Sequence, residues 1–450
     1  MRIVVVGNGK LGASIARKLA DDGHEVVVVD HNEKALSTSL SNNNVSGVVG
    51  GGVDRAALAE AGVSDAQVVI AVTQSDEVNI ITSILAKKMG AGHTIARIRE
   101  PEYMGSMELI RPEMGLGMNV NPELEAAEEI SRVFRFPSAL QIEFFSRGRV
   151  EIVELCLKDD SPLVGMKLAD FGAKFKSKVL ICTVRRGEEV FIPTGDFVLQ
   201  AGDNINITGA LRDVNQFCKK LGYTSRKVKT VMIVGGGRIG YYLARILQDI
   251  GMEVKILEKD RERCEKLSDL LPKVTVIHCD GTEQDALMEE DIAETDGLAA
   301  LTGLDEENVI ISMFAQSCGV AKVVTKINHI TFGGVLEKAG IDCVVTPHVI
   351  TTQRIVRYVR ALQNSEDSSF ETLISLAGEG AEAIEFHVGK GFAGNHVPLK
   401  ELKLKKNILI AVITRGSKTI HPTGDDCIMP GDNIVLVTTR KVNEISDILQ

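Results

Sequence analysis

The chain has 450 residues, of which 44% are hydrophobic, 25% charged and 4% aromatic, with no tryptophan. One hydrophobic core does not grow to that length, so at roughly 150 residues per domain the chain holds about three or four domains, and its composition excludes disordered and collagenous classes. A net charge of −10 argues against a nucleic-acid partner, which needs concentrated Lys and Arg to neutralise phosphates.

Met1-Arg2-Ile3-Val4 enters a strand at once, without the basic and apolar regions of a secretory signal. Apolar runs such as Val26 to Val29 and Met232 to Val234 are strand-length, far below the roughly 20 residues that span a bilayer. The expectation is a cytoplasmic protein, not an integral membrane one.

The first strand, Ile3–Val6, runs into Gly7-Asn8-Gly9-Lys10-Leu11-Gly12, followed by a helical stretch through Leu19. In this context the glycines allow a tight turn, close approach of a pyrophosphate and close helix packing. Free N–H groups at the helix start attract the phosphate charge. The next strand ends in Asp30, 18 residues after Gly12, where a carboxylate can accept both hydroxyls of an adenosine ribose. An acid there repels a 2′-phosphate, so NAD, NADH, ATP or ADP fits better than NADP. Thr73 and Gln74 follow the fourth strand, at the crevice where a doubly wound sheet holds ligands. Arg97 ends the next strand, placed to face phosphate oxygens.

After a helix at 122–134 the chain changes to short strands broken by turns such as Pro193-Thr194-Gly195-Asp196 and Gly202-Asp203-Asn204, the pattern of a small α+β module. Asp and Asn after Gly commonly close β-turns, and we read these oxygen-rich stretches as turn chemistry rather than metal ligands.

Residues 229–450 then repeat the plan of residues 1–225. IVVVGNGKLG at 3–12 matches MIVGGGRIG at 232–240, AVTQSDEVNII at 71–81 matches ALTGLDEENVI at 300–310, and IPTGD at 192–196 matches HPTGD at 421–425. The second loop is Gly235-Gly236-Gly237-Arg238-Ile239-Gly240, with Glu258 again 18 residues on, and Thr302 and Lys326 stand where Thr73 and Arg97 stand. A second helix follows at 348–362, where Val349, Val356, Val359 and Leu362, with Ile355 beside them, form an apolar stripe that either joins domains across an oligomer or packs in its own domain. The expected domains are 1–137 and 226–365, Rossmann-like, and 138–225 and 366–450, small α+β, with polar Asn364–Ser369 and basic Tyr223–Lys229 at the joints.

Eight scattered cysteines form no C-x-x-C pair, as expected of reduced thiols. An NAD-dependent oxidoreductase is the alternative from another class, because the same fold hosts dehydrogenases. It lacks a proton-transfer residue. Tyr223 and Lys227 have a Tyr-x-x-x-Lys spacing but lie in the basic joint, and His31, beside Asp30, sits at the adenosine end. We therefore assign no catalytic residue and no metal ligand.

On the duplication, both glycine loops, both acidic strand ends, the Ser75-Asp76-Glu77-x-Asn79 and Asp305-Glu306-x-Asn308 stretches and both Pro-Thr-Gly-Asp modules, the chain resembles the TrkA family over essentially its whole length. That family comprises the cytoplasmic subunits of bacterial and archaeal Trk potassium-uptake systems, each half joining an RCK N-terminal and an RCK C-terminal domain. The resemblance implies two nucleotide sites, one from Gly7 through Gly12, Asp30, Thr73, Gln74 and Arg97, the other from Gly235 through Gly240, Glu258, Thr302 and Lys326. It implies a ring of four chains beneath a TrkH-like membrane potassium-translocating subunit, nucleotide-controlled gating and no turnover. Gly50-Gly51-Gly52-Val53 stands opposite Cys279-Asp280-Gly281-Thr282, so Asp280, the acid expected beside the adenine, has Gly51 as its counterpart in the first half.

Overall fold

The computed structural model describes residues 1–39, 45–103, 115–135, 141–145, 150–175, 179–222, 228–328, 336, 340–341, 343–363, 370–377, 380–416, 418–442 and 444–450. The domain boundaries expected near 137, 225 and 366, the Asn364–Ser369 joint and the Tyr223/Lys227 pair lie outside the described residues. Two compact units emerge, each drawing on both halves of the chain: Met1–Ser131 with Lys229–Val359, and Arg132–Val228 with Arg360–Gln450.

The first unit holds two six-stranded parallel sheets. The first contains β1 (Arg2–Val6), α1 (Lys10–Asp21), β2 (Glu25–Asp30), α2 (Glu33–Ser39), β3 (Val45–Val49), α3 (Arg55–Glu60), β4 (Val68–Ala71), α4 (Asp76–Met89), β5 (His93–Arg97), β6 (Met118–Val120) and α5 (Pro122–Arg135). Its strand order is β3-β2-β1-β4-β5-β6, a Rossmann-like arrangement that reverses direction between β1 and β4. Val4 pairs with Val27 on one side and Val69 on the other. Helices cover both faces of a parallel sheet, so its strands read as unbroken apolar runs: Ile3 through Val6 and Val68 through Ala71 are all buried.

The second half repeats this after a small module of β7 (Gln141–Phe145), β8 (Val150–Cys156), α6 (Leu168–Phe175), β9 (Leu180–Arg186), β10 (Glu189–Phe191), β11 (Asn204–Gly209) and α7 (Leu211–Lys220). The repeat comprises β12 (Thr230–Val234), α8 (Arg238–Asp249), β13 (Glu253–Glu258), α9 (Arg261–Leu270), β14 (Thr275–His278), α10 (Gln284–Glu289), β15 (Gly297–Ala300), α11 (Asp305–Ser317), β16 (Lys322–Lys326), β17 (Val344–Val345) and α12 (Pro347–Gln363). Its order, β14-β13-β12-β15-β16-β17, matches the first sheet strand for strand. On α12, Ile355, Val356 and Val359 are buried within the chain.

The second unit holds two five-stranded antiparallel sheets, β10-β9-β11-β8-β7 and, from the C-terminal module, β18 (Phe370–Leu376), β19 (Ala381–His387), β22 (Asn433–Thr438), β20 (Ile408–Arg415) and β21 (Lys418–Ile420). One core joins them: Phe145, Ile152 and Cys182 of the first module pack with Ile374, Ala383, Val412 and Val435 of the second. The Gly-Asp turns carry a structural job. Asp203, fully buried, accepts two bonds from Arg186, Nε at 2.7 Å and Nη2 at 2.8 Å, and a third from Gln200 N–H. Asp432 repeats it with Arg415 and Met429 N–H, each contact at 2.8 Å. A fork of two parallel N–H···O bonds ties the turn to the neighbouring strand.

Candidate nucleotide sites

Both glycine loops are shaped by contacts that exclude a side chain. Gly7 takes φ +102° and Gly235 φ +107°, a left-handed region that penalises residues with a Cβ, and a Cβ on Gly7 would lie 2.8 Å from the backbone nitrogen of Thr73. At Gly12 the exclusion is absolute, because a Cβ there would sit 1.8 Å from the carbonyl oxygen of Gly7. The loop is thereby pressed against the ends of β1 and β4, and α1 starts directly behind it.

Neither α1 nor α8 has a side-chain N-cap, and neither carries an acid in its first turn; Gly9 and Gly237 occupy the cap positions. Other helices of the same unit do carry caps, Ser75 on α4 and Asp260 on α9. Helix N-termini expose unsatisfied N–H groups that favour anions. Gly9 and Lys10 are exposed, and a Cβ at Gly9 or Gly237 would meet nothing within 4 Å among the described residues, so the approach to each helix start is open. Asn8, Leu11 and Gly12 are buried and support the loop from inside, as do Gly236 and Gly240; Ile239 is half-buried.

The acids at the ends of β2 and β13 close each loop. Asp30 accepts from Asn8 N–H at 2.6 Å through Oδ2 and from Asn32 N–H at 2.8 Å through Oδ1. Glu258 accepts from Gly236 N–H at 2.7 Å and Asp260 N–H at 2.9 Å. An ionised carboxylate has about four acceptor sites, so each keeps capacity for ribose hydroxyls while bracing its loop. Asn8 adds a side-chain bond to the carbonyl of Ala35 at 2.6 Å.

Across the crevice, Thr73 and Thr302 are locked by residues to which the sequence reading gave no role in the site. Asn79, fully buried on α4, accepts from Thr73 N–H and from its hydroxyl, both at 2.7 Å, and donates to the carbonyls of Thr73 at 3.2 Å and Arg97 at 2.9 Å. Asn308 does the same for Thr302 N–H at 2.7 Å and the carbonyls of Thr302 and Lys326. The signal was the common Asn in the two Asp-Glu-x-Asn stretches. Gln74 is exposed, and its carbonyl accepts from Arg99.

Arg97 and Lys326 occupy matching places: Arg97 Nη2 donates to the carbonyl of Thr73, and Lys326 Nζ to that of Thr302 at 2.6 Å. Burial lowers both pKa values, that of Arg97 to about 10. Arg97 Nε is buried without a partner among the described residues, a donor that an anionic ligand would satisfy. Asp280 is exposed and accepts from Thr282 N–H at 3.0 Å and its hydroxyl at 2.7 Å, with its pKa lowered chiefly by the first bond. A Cβ on its counterpart Gly51 would meet nothing within 4 Å.

The second loop and the helix behind it reach the first half of the chain. Arg238, on the second loop, forms an ion pair with Glu100 of the first half. Tyr242 on α8 donates to the carbonyl of Arg99 at 2.8 Å and accepts from Asn121 at 3.2 Å. These pairings, between residues more than 120 positions apart, have no periodicity that would announce them in the sequence. Among the described residues no group of three or more His, Cys, Asp or Glu is placed to hold a metal, and no helix is long and apolar enough to cross a membrane.

The chain matches the TrkA-N domain at residues 3–118 and 231–347 and the TrkA-C domain at 152–222 and 384–450. It is similar to the "Trk system potassium uptake protein TrkA homolog" of Archaeoglobus fulgidus, at 31% identity over 99% of this chain and 100% of that one. The "Trk system potassium uptake protein TrkA" of Halomonas elongata is 30% identical over 100% and 99%. Among solved structures, the "GsuK RCK domain" superposes with a TM-score of 0.62 at 20% identity, covering 97% of this chain and 92% of that one. The "GsuK channel bound to NAD" gives 0.62 at 19%, covering 97% and 76%. With full-length relatives at this identity and both domain types present twice in alternation, the chain belongs to the TrkA family as a tandem of two TrkA-N and TrkA-C pairs.

Proposed function

We propose that the chain is a cytoplasmic, nucleotide-responsive regulatory subunit that gates a membrane potassium-translocating partner of the TrkH-like kind, without consuming the nucleotide. The observation that carries this reading is the duplicated site: two glycine loops with uncapped helix starts, each braced by an acid suited to an adenosine ribose and opposed by a half-buried cation. The relatives are named for potassium uptake, and a structure sharing the fold is named as bound to NAD. NAD or NADH, and ATP or ADP, are the ligands of this reading. The site residues are Gly7, Asn8, Gly9, Lys10, Leu11, Gly12, Asp30, Thr73, Gln74 and Arg97 in the first half. In the second they are Gly235, Gly236, Gly237, Arg238, Ile239, Gly240, Glu258, Asp280, Thr302 and Lys326.

In this reading four chains form a ring at the inner face of the membrane, and the domains are 1–137, 138–225, 226–365 and 366–450. A ligand shifts the equilibrium between ring states only through different affinity for each. Loop contacts that run from one half to the other, such as Arg238 with Glu100, give a nucleotide at the loop a route to such a difference. The test is potassium flux through the membrane partner reconstituted with this chain, measured with NADH, NAD, ATP and ADP. Flux should differ among the four; identical flux in all of them overturns the regulatory reading.

A further inference from the structure

The two nucleotide sites match at the phosphate loop and at the ribose acid, yet they part where a base would lie. A nucleotide on a doubly wound sheet sets its phosphates at the glycine loop after the first strand and its ribose at the acid that ends the second. The base hangs from the ribose on the side away from the phosphates, so it falls near the end of the third strand, about 5 Å further along the sheet. In the first half that strand is β3, whose Val49 pairs with Asp30; in the second it is β14, whose His278 pairs with Glu258. The turns that follow are held alike. Gly50 N–H donates to the Asp30 carbonyl at 3.0 Å and Cys279 N–H to that of Glu258 at 3.1 Å.

Two glycines fix the register of these turns. A Cβ on Gly52 would lie 2.9 Å from Cγ1 of Val6, and one on Gly281 2.5 Å from Cγ1 of Val234, the matching residue of the matching strand. Gly51 and Asp280 immediately precede them and so occupy equivalent places. Asp280 is exposed, and its bonds from Thr282, the N–H foremost, hold its pKa below the usual value, which leaves it an acceptor with no proton to give. In the first half Val49, Gly51 and Val53 stand where His278, Asp280 and Thr282 stand in the second. Val49 and Val53 are 57% and 47% exposed, two apolar side chains flanking a position without a side chain.

We infer that the first site does not read the exocyclic group of its base and takes nucleotides of adenine, hypoxanthine and guanine alike, whereas the second selects adenine through Asp280. The inference rests on the nucleotide reading and deepens it. Adenine presents an amino donor where the two other purines present a carbonyl acceptor. Against a carboxylate the amine gains a charged hydrogen bond, while the carbonyl meets a second acceptor and gives up its water, so the wrong base is penalised as well as the right one favoured. Against Gly51 neither happens. Val49 and Val53 offer apolar surface to the flat face that all purines share.

The test uses the full chain with one site silenced at a time. Gly9 and Gly237 have extended backbone and nothing within 4 Å of an added Cβ among the described residues, so Gly9→Asp and Gly237→Asp each set a carboxylate against the phosphates at one helix start without a clash. ATP and ITP, which differ only in the 6-amino and 6-oxo groups of the base, are titrated by calorimetry. The Gly9→Asp chain, which keeps the second site, should bind ATP at least about tenfold more tightly than ITP, and the Gly237→Asp chain should bind the two within about threefold. Adding Gly51→Asp to the Gly237→Asp chain should raise its preference for ATP to about tenfold. Of the three consecutive glycines only Gly51 has room for this change, since a Cβ on Gly50 would lie 2.3 Å from that of Ala57. Asp280→Gly in the Gly9→Asp chain should erase the preference there. Equal preference for ATP in the two single-site chains overturns the inference while nucleotide binding stands, as does an unchanged ratio on Gly51→Asp. Where Gly51→Asp fails to fold, Asp280→Gly decides, and a preference that survives it overturns the inference. An unsubstituted chain that binds neither ATP nor ITP overturns the nucleotide reading and this inference with it.

Discussion

The backbone N–H of Asn8 lies 2.6 Å from Oδ2 of Asp30, so the acid expected to recognise a ribose also braces the phosphate loop of its own half. Glu258 makes the same bond to Gly236 at 2.7 Å. One carboxylate per half thus ties loop shape to the position proposed for the sugar.

Replacing either acid should then damage two contacts at once. Asp30→Ala and Glu258→Ala should each weaken nucleotide binding at their own site by about 10- to 150-fold, because bonds to a charged group are worth about 1.5–3 kcal/mol. The other site should keep most of its affinity. Calorimetric titration with NAD and with ATP checks this; undiminished affinity in both variants and in the double variant would reduce the acids to loop braces.

Discrimination against a 2′-phosphate follows from the same geometry. Both oxygens of Asp30 already accept backbone N–H groups, which fixes the carboxylate beside the proposed ribose position. NADP should bind more weakly than NAD by roughly tenfold or more at either site. Competition of NADP against bound NAD measures the ratio, and equal affinities would contradict the assignment.

Asn79 and Asn308 are fully buried and hold the ends of two strands together. Asn79→Ala strands the N–H of Thr73 and leaves the carbonyls of Thr73 and Arg97 with fewer donors, which should cost about 2–4 kcal/mol of stability. Denaturant unfolding of Asn79→Ala and Asn308→Ala gives the number. A loss below about 0.5 kcal/mol, the level of an ordinary surface substitution, would refute a locking role.

Glu125 supplies a pH dependence with a definite sign. Burial raises its pKa, against the lowering effects of Arg354 and Thr351. A carboxyl whose folded pKa lies above its unfolded value binds more protons in the folded state. Its contribution is therefore complete below the ordinary value near 4.5 and is lost as pH rises through the raised folded value. Relative to Glu125→Gln, the parent should lose stability as pH climbs through that window and run parallel to it at higher pH. Melting temperatures of the two proteins over the acid-to-neutral range test this; parallel curves throughout would contradict the shift.

The tandem plan, the two parallel sheets, the glycine loops and their acids were legible in the sequence because each rests on local chemistry. Glycines at Gly7 and Gly12 are demanded by backbone conformation and by contact with a neighbouring carbonyl, and Asp30 and Glu258 are fixed by strand length. Repetition 228 or 229 residues on made these signals visible twice. The sequence also placed Arg97 and Lys326 at matching strand ends, but only the tertiary structure turned them onto the carbonyls of Thr73 and Thr302, where both are half-buried. The pairing of Glu125 with Arg354, of Tyr242 with Asn121 and of Arg238 with Glu100 joins residues with no shared period or motif. A solvated helix face and a half-to-half contact surface both present as charge at helical spacing, and packing alone separates them, because burial of a carboxylate is decided by what closes over it.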